Sequence, residues 1–469
     1  MEVRRRTFDS SGDELKCIDK ISTQASMMKW LDKRLNVRDL MASLFAHPVP
    51  KRSNFLDYLG FATLFIFISQ AVTGILLAMV YKPSATEAYA SIQALQASTI
   101  GNFVRSLHSW SADFMVILVV LHILRVFYVG AYKRPRELTW VMGGVLFVGT
   151  LGSSFTGYLL PWDQEGYWAT TVGSSMAGFV PFFGDFLVNV LRGGAQVTGA
   201  TLTRFYSGHM LVLPVIILLA FMPHFFFVLR QGMASTDELA KAQHLGEDIS
   251  KKSSPFWPNV AFKMIITVLV VFIASWVLAG IYPKGLGAPA DALNKMGYIP
   301  EPAWYFFGVY QFLKYFPGQL DVLAIVGIPI IFFVVFFAFP WIDRNPSRSP
   351  LKRPIALGSA TILVVSMIFL TYQGMSSVPK ALADTGVVDH PSYKNDVRPI
   401  LKSKCITCHA DIVKFTKLME RVSAGNPAES ILINRIDGSE EPIMPIEGPL
   451  SKNQVQTITN WVKDGAKND

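Results

Sequence analysis

Eight histidines occur in this 469-residue chain, and four of them, His108, His122, His209 and His224, fall inside two long apolar stretches. An ionisable side chain at that depth is costly and usually functional. The first pair is 14 residues apart and the second 15. At 100° per residue these spacings turn a helix by about 1400° and 1500°, leaving each pair within about 40° to 60° of a shared face. Along the axis the two members of a pair stand about 21 to 22 Å apart, near opposite surfaces of a bilayer. If both helices run in the same direction, His108 faces His209 and His122 faces His224, so each facing pair offers two axial imidazoles to iron. The chemistry this spacing allows is a wire of two non-covalent b haems stacked across a four-helix bundle. A lone intramembrane histidine more often hydrogen-bonds a neighbouring helix, but two matched pairs argue against that reading.

Glycines repeat the spacing: Gly60 and Gly74 on one apolar stretch, and Gly143 and Gly157 on another, are also 14 apart. A missing Cβ admits a flat porphyrin, although small residues also let bare helices approach. Arg105, Arg125 and Arg204 lie near the histidines, as partners for haem propionates or as interfacial anchors.

The tail carries a separate signal. Cys405-Ile406-Thr407-Cys408-His409 is a C-x-x-C-H sequence, in which two thiols add to haem vinyl groups and the histidine binds iron. Zinc would want a further soft or imidazole ligand, and His390 is the only other tail histidine. Met444, 35 residues beyond His409, is the candidate sixth ligand, since a thioether favours the higher potential of an electron acceptor. As a flexible core filler it would be unremarkable, and Met419 is the only other tail methionine. One covalent haem c would also staple a tail too short for a large core. Cys17, the remaining cysteine, reads as a free cytoplasmic thiol.

These groups need a membrane scaffold to position them. The chain is 51% hydrophobic and 16% charged, with mean hydropathy +0.35, which makes the bilayer its expected solvent. Seven apolar stretches, at about 55–80, 105–129, 138–160, 205–229, 259–281, 320–341 and 354–374, are long enough to span it. The net charge of +9 gathers in the short loops 130–138, 230–258 and 342–353, whereas 81–104 and 161–203 are poor in Lys and Arg. That pattern is membrane-flanking charge rather than a nucleic-acid surface. It puts the basic loops and the N-terminus in the cytoplasm and the tail outside, on the side where haem c attachment occurs.

The polar segment Met1–Pro50 has no apolar h-region and does not read as a cleavable signal. Within it, Ile21–Phe45 suits an amphipathic segment on the inner face. The chain therefore divides into an arm (1–50), a four-helix dihaem block (51–232), a three-helix block (233–376), a linker (377–392) and the tail (393–469). The fold class is all-α: a membrane four-helix bundle plus three further transmembrane helices, followed by a small all-α domain.

From about Asn54 to Gly374 the sequence resembles the cytochrome b of the bc and bf complexes. RSLHSW (105–110), HILRVF (122–127), RPRELTWVMGG (134–144), TGYLLPWDQEGYWA (156–169) and TLTRFYSGH (201–209) carry the resemblance. The PWDQ form, the longer second histidine spacing and the polar break before FWPN (256–259) look like the bf branch, with cytochrome b and subunit IV joined. The tail's AGNPAESILINRI and SKNQVQTITNWVKDGA look like the surroundings found in small single-haem cytochrome c domains.

The resemblance implies a subunit of a quinol:cytochrome c oxidoreductase in a bacterial cytoplasmic membrane, working as a homodimer of the complex. Quinol would bind near the outer face, beside Pro161, Trp162 and Tyr305. One electron would pass to a Rieske iron-sulfur partner and on to haem c, which serves a soluble or membrane-bound acceptor. The other would cross the two b haems to quinone inside, with protons taken up inside and released outside. The chain offers no second Cys/His pair motif, so the Rieske centre belongs to another subunit.

Two positions depart from the resembled pattern. Tyr58 stands where the bf branch has a cysteine that attaches an extra haem, so no such haem is expected. The motif Pro-Glu-Trp-Tyr, whose glutamate is thought to accept a quinol proton, reads here with Ala303 before Trp304; Glu301, two residues before Ala303, is the candidate to take that role, with a surface carboxylate as the alternative. That change leaves a rival reading open: a non-bifurcating subunit that wires quinol electrons through its haem c to another periplasmic partner.

Overall fold

The computed structural model describes residues 48–50, 54–231, 253–291, 302–316, 318–377, 387–405, 409, 411–441, 443–445 and 450–469. The amphipathic segment read at Ile21–Phe45, Cys17, Glu301 and Cys408 lie outside the described residues.

A short antiparallel pairing of β1 (Pro48–Pro50) with β2 (Ser253–Pro255) and an isolated bridge between Asp163 and Pro289 are the β pairings in an otherwise helical chain among the described residues. Helices α1 (Leu59–Ala78), α2 (Ala88–Ala97), α3 (Thr99–Tyr128), α4 (Glu137–Tyr158), α5 (Gln164–Met176) and α6 (Gly184–Arg192) follow β1 in order. The fourth span, α7, runs over Gly199–Gln231. Beyond it come α8 (Ala261–Ile281), α9 (Phe307–Leu313), α10 (Ile328–Ile342) and α11 (Pro354–Ser377).

Seven of the described helices, α1, α3, α4, α7, α8, α10 and α11 with their short lead-ins, are long and apolar enough to cross a membrane. They coincide with the seven apolar stretches. Their outer faces expose large side chains, among them Val72 and Ile75 on α1, Leu219 and Met222 on α7 and Ile331 and Val334 on α10, a surface suited to lipid rather than water. The ends are set by local chemistry. Asn54 and Asp57 form a reciprocal capping box ahead of α1, the Ser98 side chain accepts from the Gly101 N–H at the start of α3, and Asp163 caps α5.

In the first block α1 packs on α3 and α4 on α7, with α3 and α4 in contact between the two pairs. The second block closes on the first through α8 against α3 and α1, and α10 against α4. A buried polar clamp joins the blocks: Asp343, just past α10, pairs with Lys133 at 2.8 Å and Arg353 at 3.6 Å and accepts the Tyr132 hydroxyl.

The tail forms α12 (Arg398–Lys404), α13 (Phe415–Leu418), α14 (Ile431–Ile436) and α15 (Lys452–Lys463), the last started by a Ser451/Gln454 capping box. They enclose a core of their own in which Leu401, Leu418, Ile458 and Trp461 are fully buried, with Cys405 packed at its edge.

Candidate functional site

Helix α3 carries His108 and His122, and α7 carries His209 and His224. The fourth span is not a uniform α-helix: Gly208–Val212 form a π turn in which the Leu213 N–H donates to the Gly208 carbonyl. A π turn absorbs one extra residue. The 15-residue spacing therefore acts as one of 14, and the offset of about 60° expected from a straight helix closes to the about 40° of α3. The facing pairs are those the spacing foresaw. His108 and His209 have ring centroids 6.2 Å apart, with planes at 76°. They share the wall of a cavity of about 700 Å³, named the outer cavity after the side that the loop charges predict, while His122 and His224 share a separate one of about 210 Å³, named the inner cavity.

Each histidine is backed by its own glycine on the neighbouring helix. A Cβ built on Gly60 would come within 2.8 Å of the His122 ring, on Gly74 within 3.4 Å of His108, on Gly143 within 3.2 Å of His224 and on Gly157 within 2.7 Å of His209. Below about 3.0 Å no side chain fits without displacing the ring.

Three of the four rings are oriented by a bond at Nδ1. His209 Nδ1 lies 3.0 Å from the Ser153 carbonyl oxygen, His224 Nδ1 lies 2.9 Å from that of Thr139, and His108 Nδ1 lies 2.8 Å from Thr73 Oγ1. Donation from Nδ1 fixes the tautomer and leaves Nε2 to bind metal. His122 Nδ1 is buried with no partner among the described residues. Thr73, Thr139 and Ser153 were not singled out from sequence, yet each lies within four residues of one of the spaced glycines, a signal that could have found them.

The arginines divide. Arg125 lines the inner cavity and is held by Asp57 through Nε at 2.9 Å. Arg105 lines the outer cavity and donates to the carbonyls of Lys284 and Gly285 at 2.7 and 2.8 Å. Arg204 is exposed beside Gly193 and is not among the residues lining the outer cavity, so the structure does not bring it to the histidines.

Of the expected quinol-site residues, Pro161 and Tyr305 line the outer cavity, and burial, with Asp113 nearby, pushes the Tyr305 hydroxyl up to about 12. Trp162 instead packs into the core beneath it, edge-on to Tyr167, so only its neighbour reaches the wall. Asp113 and Lys284, unremarked in the sequence, do reach it.

In the tail, the His409 N–H donates to the Cys405 carbonyl at 2.9 Å, and the Met444 N–H donates to that of Arg435 at 2.7 Å. His409 and Met444 are both half-buried. Among the described residues, which leave out Cys408, no group of three or more His, Cys, Asp or Glu gathers as a metal site. Facing imidazoles, three of the four anchored at Nδ1, with glycine cradles and a cavity at each pair, are a donor set and a space that fit haem.

The family model for cytochrome b/b6/petB matches residues 44–232, and that for cytochrome b(C-terminal)/b6/petD matches 289–389. A cytochrome bc complex cytochrome b subunit of Chlorobaculum thiosulfatiphilum is 34% identical over 357 residues, covering 76% of this chain and 82% of that protein. A cytochrome b6 of Synechococcus sp. (strain RCC307) is 41% identical over 215 residues, covering 46% of this chain and 99% of its own length. A solved hyperthermophilic respiratory Complex III superposes with TM-score 0.67 at 26% identity, over 74% of this chain and 91% of that one. The chain belongs to the cytochrome b family, a class of membrane electron-transport proteins. Within that class its b6-type and C-terminal parts run on in a single polypeptide.

Proposed function

We propose that this cytochrome b subunit of a bc/b6f-type quinol oxidoreductase complex oxidises quinol in its outer cavity with bifurcated electron transfer coupled to proton translocation. One electron leaves toward a Rieske iron-sulfur partner and the C-terminal domain, and the other crosses the bilayer along the histidine quartet. The observation that carries this reading is the matched set of four histidine–glycine cradles, arranged as two facing pairs.

His108 with His209 would hold the outer b haem, and His122 with His224 the inner one; Gly60, Gly74, Gly143 and Gly157 clear the space. Cys405 and Cys408 would carry a covalent haem c, with His409 and Met444 as its axial ligands. When bound, these groups supply one-electron carriers that the side chains lack. Arg105 and Arg125, each at a cavity wall, present guanidinium groups suited to propionates. Pro161 and Tyr305 shape the outer cavity, and Glu301 lies close in sequence to Tyr305. A bacterial cytoplasmic membrane, with the N-terminus inside and the tail outside, matches the placement of the basic loops. A homodimeric complex and a soluble or membrane-bound acceptor complete the proposal.

Purified complex should show b and c signals in about a two-to-one ratio in a reduced-minus-oxidised spectrum, reduce on adding quinol, and retain an iron-sulfur subunit. Ala303, in place of a motif carboxylate, favours a second reading: a non-bifurcating subunit passing quinol electrons through its haem c to another partner. Reduction by quinol without any co-purifying iron-sulfur protein would select it.

A further inference from the structure

The outer cavity holds a carboxylate that the histidine quartet does not use. Asp113 sits within span α3, five residues beyond His108, where an ionisable group is rare and is usually paired or functional. Its side chain is 17% exposed and lines the cavity of about 700 Å³ together with Pro161, Ala303, Trp304 and Tyr305. That volume is ordinary for a small-molecule site.

Two fixed donors aim the carboxylate. Lys284 Nζ donates to Oδ2 and Trp304 Nε1 to Oδ1, both at 2.8 Å. Lys284 is itself steadied over the Trp110 ring, 3.8 Å from its centroid. An ionised carboxylate has about four acceptor positions, so two donors leave capacity for another. Trp304 follows Ala303 directly, so α3 delivers a carboxylate to the very motif that lacks one of its own.

Other charged or titratable groups share this wall and are already engaged. Asp163 accepts from the Gly166 and Gly287 N–H groups, Glu165 accepts the Tyr158 hydroxyl, and Arg105 donates to two loop carbonyls. Tyr81, Tyr206, Tyr305, His108 and His209 complete the set.

We propose that Asp113 is the base that takes the hydroxyl proton of bound quinol, and that Lys284 is a positioning residue that holds its carboxylate in place. This rests on the outer cavity being the quinol pocket. In the step, the quinol O–H bond breaks, an O–H bond forms on the Asp113 carboxylate, and the bonding electron pair stays on the quinol oxygen. One electron leaves afterwards toward the iron-sulfur partner and the other toward the histidine quartet.

The test is quinol-driven reduction in the purified complex, with quinol binding and b-haem absorbance measured alongside. Asp113→Asn should slow reduction by about 10²-fold or more while binding and absorbance persist. Ala303→Glu added to Asp113→Asn should restore much of the rate by returning a carboxylate to the motif. Lys284→Met should lower the maximal rate of reduction by about 10-fold or more while quinol binding holds, and Lys284→Arg, which keeps a donor to the carboxylate, should recover most of it. A simple structural ion pair would leave that rate in place. Asp113→Asn retaining full speed with both b haems present would overturn the proposal, as would an unchanged maximal rate in Lys284→Met. The second result decides alone should Asp113→Asn fail to assemble. Wild-type complex that no quinol reduces would instead sink the quinol reading itself.

Discussion

Thr73 fixes the proton of His108. Its hydroxyl hydrogen goes to the Ser69 carbonyl at 2.7 Å, so Oγ1, 2.8 Å from His108 Nδ1, is left to accept from that nitrogen. The position 14 residues earlier on α1 is Leu59, which has nothing to offer His122. The outer and inner sites are thus chemically unequal. Losing such an anchor typically weakens metal binding by about 10- to 100-fold. Thr73→Val should therefore loosen the outer b haem and raise its potential, since a less basic imidazole favours the ferric state less, whereas Leu59→Thr should lower the potential of the inner haem. Redox titration of both b haems checks this; two unmoved potentials would refute it.

The glycine cradles differ in depth. A methyl group on Gly157 would sit 2.7 Å from the His209 ring, and one on Gly74 at 3.4 Å from His108, an ordinary contact. Gly157→Ala should displace the ring and reduce b-haem content, while Gly74→Ala should keep it. The b-haem absorbance per protein decides, and equal losses in both variants would show that the cradle geometry is not the controlling feature.

Single histidine removals follow the same pairing. His209→Ala and His108→Ala should each remove the outer b haem and leave the inner one, with the tail's covalent haem retained. His224→Ala should do the converse. Loss of both b haems from every single variant would contradict two independent sites.

Met444 is half-buried and anchored through its N–H to the Arg435 carbonyl at 2.7 Å, a backbone position held independently of any ligand. If its thioether is the sixth ligand, Met444→His should lower the haem c potential markedly, because a nitrogen donor stabilises ferric iron more than sulfur does. An unchanged potential would assign that position to another group.

Much of this was legible because a spanning helix leaves few choices. Apolar length fixes the spans, and a regular rotation per residue sorts His108, His122, Gly60 and Gly74 onto facing surfaces. The π turn at Gly208–Val212 was not legible as such, because the same 15-residue spacing is compatible with a straight helix. Trp162 shows another limit, since adjacency to Pro161 says nothing about whether a side chain turns toward a cavity or away from it. Asp113 and Lys284 lie 171 residues apart, and only the closure of α8 against α3 makes them neighbours. Long-range pairs of this kind leave no periodic trace.

The clamp at Asp343 gives the last prediction. Its carboxylate and the Lys133 ammonium are each 8% exposed, and Arg353 and the Tyr132 hydroxyl complete the group. Burial alone would push the Asp343 carboxyl up. The hydrogen bonds from Lys133 and Tyr132, with the Lys133 charge, outweigh it and hold the carboxyl below the usual range. A carboxyl with a lowered folded pKa adds stability above its unfolded value of about 3.9 and loses it as pH falls through the folded one. Between about pH 5 and 9 the clamp's contribution should therefore be flat, and it should fade only in acid. Removing one partner of a buried pair strands the other, at about 3–5 kcal/mol. Asp343→Ala should accordingly lower the thermal unfolding temperature of the detergent-solubilised protein at neutral pH, and the gap from the parent should narrow below about pH 4. A gap that stays constant into acid would mean that the loss arises from packing rather than from the charge.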